Sequence, residues 1–233
     1  MSIAEMSQEL PALPQDQDDQ PLSQRVYQAM LSAIISGQLK PGEVVNEIRL
    51  AQELGVSRTP VHTAIRELVK DGLITQEANR RPVVARFSRE DIREVFDMRK
   101  LLESEAARIA AAQLDRVTLK ALSDAADAMD AGAAASVDDT EALVRWADFD
   151  DNFHLAIADA CGSKRLREDI LRYRLLHHGL NQLRMRAELI PQALAEHRKI
   201  LDALAARDGD AASRAMQEHL HEWQAYYMQR FPL

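Results

Sequence analysis

One cysteine, two tryptophans and eight glycines in 233 residues already exclude several kinds of protein. Cys161 has no partner for an internal disulfide, so the fold must rest on packing, and a reducing cytoplasm suits it. It precedes Gly162 at an apparent helix end, where a small buried residue is expected rather than a reactive thiol. No apolar run of about 18 residues occurs, so no membrane-spanning helix is expected. The first twenty residues hold five acids and neither Lys nor Arg, and no apolar stretch follows a basic start. That is not the pattern of a secretory signal, and residues 1–20 are expected to form an acidic, disordered tail.

The chain also lacks net positive charge, at −8 overall, which taken whole argues against a nucleic-acid partner. Divided along the chain, the argument reverses. Residues 21–86 carry nine Lys and Arg against six acids, while the remainder is acidic. A local basic footprint with an acidic rest allows DNA to be gripped in one place without indiscriminate coating.

What occupies the basic segment is a helix pair. Val45 to Leu73 splits into two short amphipathic runs joined at Gly55-Val56, and the second opens on Ser57-Arg58-Thr59-Pro60. Ser57 is a preferred N-cap, and proline is tolerated in the first turn, where backbone N–H groups lack intrahelical partners. Val61, Ala64, Ile65 and Leu68 then make an inward face. Arg58, His62, Arg66 and Lys70 recur on a different face, the arrangement a major groove accepts. Two strand candidates follow, 73–76 and 82–85, with Asn79 as turn former and Arg80 and Arg81 at the tip, where cations meet phosphate or the minor groove. The expected DNA contacts are Arg49, Ser57, Arg58, Thr59, His62, Arg66, Arg80 and Arg81.

This segment resembles the GntR family of bacterial transcription regulators. The matching residues are Leu50-Ala51, Leu54 to Val61, Ala64-Ile65, Leu68 and Asp71 to Ile74. The chain departs from the family at His62-Thr63, where Arg-Glu is usual, and has no glycine in the wing. The first departure implies an operator unlike those of close relatives.

From Ser88 the strand signals stop. Ser88 with Asp91 three residues on reads as a capping box. Helices are expected at 88–113, 116–131, 138–160, 164–188, 191–206 and 210–230, broken at Gly132, Cys161-Gly162-Ser163, Pro191 and Asp208-Gly209-Asp210. On the first, Ile92, Val95, Met98, Leu102, Ala106 and Ile109 mark the expected apolar face. The fold class is therefore mainly α. An N-terminal winged helix-turn-helix at 21–87 is followed by an all-α bundle at 88–233.

Within the bundle Asp150 and His154 share one helix face at i, i+4, while His197 and His219 sit midway along the last two helices. Three imidazoles and a carboxylate can bind Zn²⁺, Ni²⁺ or a similar ion. Separated histidines also pack singly, so spacing alone leaves both possibilities open, with His177, His178 and His221 as further candidates.

This half resembles the FCD domain, the effector-binding module of the FadR-type branch of the family. The resemblance rests on Met98-Arg99 with Leu102-Glu103, Asp150-x-x-Phe153-His154, Glu196-His197-x-x-Ile200 and Met216-x-x-His219-Leu220. It implies a divalent metal held by Asp150, His154, His197 and His219 beside a small carboxylate. It further implies a homodimer on a pseudo-palindromic DNA operator, a repressor tuned by an organic or sugar acid. Arg99 is the candidate partner for the acid, unless it serves as a salt bridge to Glu103 or Asp150, and Arg145 is a second candidate. The competing classes are a metal-dependent hydrolase or lyase, against which no HExxH pair appears, and a DNA-binding protein with a purely structural metal.

Overall fold

The computed structural model describes residues 20–131, 139–179 and 186–230, and they are overwhelmingly helical. The expected tail and the break at Gly132 lie outside the described residues. The chain forms two compact units. One runs through Ser88 and includes the end of the seventh helix from Leu175; the other holds the remaining helices.

The first unit begins with a helix that the sequence analysis did not assign, α1 (Leu22–Ser36). Val26, Ala29, Met30, Ala33 and Ile34 fall at helical spacing and are buried, and Gly37 ends the helix with a left-handed φ of 79°. The short α2 (Glu47–Glu53) starts at Asn46, whose side chain accepts from the backbone N–H groups of Ile48 and Arg49 at 3.1 and 3.3 Å. Gly55, at φ 65°, turns the chain into α3 (Arg58–Lys70).

Ser57 takes the N-cap position of α3 with an extended backbone, but its side chain makes no capping bond, which corrects the role expected for it. The inward face is the expected one, with Val61, Ala64, Ile65 and Leu68 all at most 1% exposed. Burying each of the large ones contributes about 1.5–3 kcal/mol.

The wing is shorter than expected: β1 (Ile74–Thr75) pairs antiparallel with β2 (Val83–Val84) in the register Ile74↔Val84 and Thr75↔Val83. Val44 adds an isolated bridge to Val83. Asn79 turns the tip at φ 62°, a conformation Asn tolerates, so the missing wing glycine costs little.

In the second unit α4 (Arg89–Gln113) packs along α9 (Gly209–Arg230) and also meets α6 (Thr140–Ala160) and α8 (Ile190–Ala205), while α5 (Arg116–Ala131) lies against α6 and α8. Ala106, Ala107, Ala110 and Ala111 are buried on α4, small enough for close helix approach. Of the expected apolar face of α4, Ile92, Val95 and Ala106 are buried. Met98, Leu102 and Ile109 are only partly buried, while Phe96, Arg99 and Glu103 point inward. Two charged residues, Arg99 and Glu103, thus serve the interior.

Helix α7 (Lys164–Gly179) does not run unbroken to the expected 188, because Ala187–Leu189 form a separate 3₁₀ turn ahead of α8. Pro191 lies in the first turn of α8, at the helix boundary expected there. Between α8 and α9, Arg207 adopts φ 58° and donates to the carbonyls of Ala111 and Leu114 at 3.1 and 2.7 Å, satisfying the end of α4. Asp208 then caps α9 by accepting from Ala211 N–H at 2.9 Å.

Candidate metal centre and nucleic-acid interface

Helices α6, α8 and α9 deliver Asp150, His154, His197 and His219 to one point. One ligating atom from each of the four lies within 4.8 Å of all the others. The histidines are 2%, 0% and 4% exposed, in chain order, and the carboxylate is the partly open member. A buried polar atom without a partner is costly, so each ring must be accounted for nitrogen by nitrogen.

His197 Nδ1 lies 2.8 Å from the Ala193 carbonyl. A carbonyl can only accept, so Nδ1 carries the hydrogen and, in the neutral ring, Nε2 is a lone pair. That lone pair sits 3.2 Å from Asp150 Oδ1 without a hydrogen bond. Two acceptors face to face repel unless a proton or a metal cation lies between them. His219 Nδ1 is likewise held by Glu196 Oε2 at 2.8 Å, and Trp223 Nε1 donates to the same oxygen at 3.0 Å. His154 Nδ1 lies 2.5 Å from Glu103 Oε2, though off the line of a hydrogen bond, and its Nε2 is 3.6 Å from Asp150. Each ring is thus anchored by one nitrogen to a carboxylate or carbonyl, the support that metal-ligating histidines generally receive. The donor set, three imidazole nitrogens and one carboxylate oxygen, fits a borderline divalent ion.

The electrostatics keep Asp150 ionised and His219 neutral, the form in which each of the two ligates. Burial would raise the Asp150 carboxyl, but Arg174 and His154 overcome it and hold the group well below the usual carboxylate range. Burial likewise opposes ionisation of Glu103, and Arg99, His154 and Arg174 outweigh it in the same direction. Burial pushes His219 from 6.5 to about 3 despite its bond to Glu196, so it is a neutral imidazole.

Arg99 is 3% exposed and its Nε donates to Glu103 at 2.6 Å, the salt-bridge role that was its alternative. Arg145 is about half exposed on α6, with Glu141 as an ion-pair partner at 4.0 Å. The sequence analysis missed Arg174, which is 3% exposed and donates to Asp150 Oδ2 at 2.8 Å and Asp151 Oδ1 at 2.5 Å. It also missed Glu196 as an anchor, although that residue directly precedes His197.

In the first unit the eight candidate DNA contacts are all exposed. Arg58 and His62, on α3, are 68% and 54% exposed and flank Glu47. Arg49 pairs with Glu53, and Arg80 with Glu77 at 3.0 Å.

A winged helix-turn-helix followed along the chain by a helical bundle with a buried His/Asp cluster is the architecture to be compared with known proteins. Residues 22–84 match the bacterial regulatory proteins of the GntR family, and residues 94–222 match the FCD domain, more than half of the chain. The chain belongs to the GntR family, in its FCD-containing branch. It is 27% identical over 202 residues to the uncharacterized HTH-type transcriptional regulator YdhC of Bacillus subtilis, covering 84% of this chain and 86% of that protein. It is 26% identical to the HTH-type transcriptional repressor RspR of Escherichia coli, with 87% of each chain covered. Escherichia coli McbR/YncC shares the fold at a TM-score of 0.75 and 21% identity, over 91% of this chain and 100% of that one. These relatives and domains are regulators, not enzymes.

Proposed function

We propose that this regulator is a cytoplasmic homodimeric repressor whose bundle holds Zn²⁺ or Ni²⁺ through Asp150, His154, His197 and His219. Operator affinity is then set by a small organic or sugar acid bound beside that ion. What supports the reading above all is the unpaired His197 Nε2 facing Asp150 Oδ1 at 3.2 Å, an arrangement that calls for a cation. The ion would supply Lewis-acid attraction for a carboxylate. Arg99 or Arg145 would neutralise what remains of the acid's charge by exchanging a carboxylate of the chain, Glu103 or Glu141, for that of the acid.

A dimer presents two α3 helices to successive major grooves, with Arg49, Ser57, Arg58, Thr59, His62 and Arg66 near base edges or phosphates and Arg80 and Arg81 at the wing. The operator is then a short pseudo-palindrome. By linkage, an acid that releases the operator binds the DNA-bound form less tightly than the free form.

The test is a thermal-shift panel of small organic and sugar acids on the metal-loaded and chelator-stripped chain. One acid class should raise the melting temperature of the loaded protein only, and the same acid should weaken operator binding. Equal stabilisation of the stripped protein would make the ion purely structural.

A further inference from the structure

The exposed face of α3 carries Arg58, Thr59, His62, Thr63, Arg66, Glu67 and Lys70. Arg58 and Arg66 can only donate. The Thr63 hydroxyl is turned back onto the Thr59 carbonyl at 3.1 Å. His62 is different, and its difference is set by α2. Its Nδ1 stands 3.0 Å from Glu47 Oε1, and the other oxygen of the same carboxylate is 3.8 Å from the Arg58 guanidinium. A carboxylate only accepts, so the hydrogen in the His62–Glu47 contact belongs to Nδ1. Nε2 of the neutral ring is then a lone pair, and it has no partner among the described residues.

We propose that Glu47 makes His62 a hydrogen-bond acceptor in the major groove, so that it selects an exocyclic amine, that of adenine N6 or cytosine N4. The inference rests on the reading that the outer face of α3 meets base edges. Guanine O6 and thymine O4 offer only lone pairs at the corresponding position, so they are repelled as well as unrewarded. An arginine at position 62 would do the opposite and favour guanine. Glu47 is a positioning residue: it needs to touch no base, yet it fixes which ring nitrogen carries the hydrogen.

The experiment is an affinity selection of the full chain from a pool of random duplexes. It is run in parallel for His62→Arg and Glu47→Gln, both substitutions at positions on the surface of the helix pair. In the wild-type motif one position should require adenine or cytosine on one strand, by roughly ten-fold or more over the alternatives. His62→Arg should change that position to guanine and leave the others as they were. Glu47→Gln, whose amide can also donate, should relax the same position so that guanine is tolerated. Identical wild-type and His62→Arg motifs would overturn the proposal, as would a wild-type guanine or thymine at the position that His62→Arg alters. An unrelaxed motif in Glu47→Gln would remove Glu47 from it. Enrichment of no sequence at all would instead sink the DNA-facing reading of α3, and this proposal with it.

Discussion

Glu103 Oε2 on α4 stands 2.5 Å from Nδ1 of His154 on α6, and the opposite nitrogen of the same ring lies 3.6 Å from Asp150. A buried carboxylate behind an imidazole orients the ring and raises its basicity toward whatever its far nitrogen meets. Arg99 in turn pins Glu103 from one turn away. Glu103→Gln keeps the shape and removes the charge. Divalent-metal affinity, measured by competition with a chromogenic chelator, should fall about 10–100-fold. Unchanged affinity would show that Glu103 serves Arg99 and Arg174 alone.

The recognition helix and the wing should fail differently. Arg58→Ala should cost about 1–3 kcal/mol on the operator and little on unrelated DNA, the range for a base contact. Arg81→Ala should weaken both alike and reduce the salt slope by about 1. Titrations of each variant at several salt concentrations separate the two cases. Loss of specificity in Arg81→Ala would put the wing against base edges instead.

Tyr27 on α1 donates its hydroxyl to Asp71 Oδ2 at the end of α3, at 2.7 Å. Burial, then the hydrogen bond and charge of Asp71, raise the phenol well above its ordinary 10.0. A raised folded-state value means that the stabilisation is complete below the ordinary one and is lost as pH climbs above it. Tyr27→Phe should therefore cost about 1 kcal/mol near neutrality, discounted because the group is only half-buried. The gap between variant and wild type should narrow above pH about 10. Urea unfolding across the alkaline range reads this directly, and a gap independent of pH would contradict it.

Much of the first unit was legible because its signals are local. The spacing of Val61, Ala64, Ile65 and Leu68 and the Gly55 turn need no distant partner to be recognised. Helix α1 carries the same periodicity in Val26, Met30, Ala33 and Ile34, but no turn or motif drew attention to it. In the second unit Asp150, His154, His197 and His219 stood out through their motif spacing, whereas their convergence within 4.8 Å is a tertiary fact. Arg174, Glu196 and the inward turn of Glu103 were hidden for one reason. A charged residue on a helix ordinarily faces water, and only a buried polar cluster reverses that. Glu103 one turn after Arg99, and Glu196 beside His197, were the available hints.

Elemental analysis of the purified chain decides whether the four converging side chains hold a metal. The account predicts about one tightly held divalent ion per chain, since the set supplies the four ligands typical of zinc. His197→Ala and His219→Ala should each lower that content sharply, and His178→Ala should not. Equal metal content in all three variants would contradict the account and place any ion elsewhere.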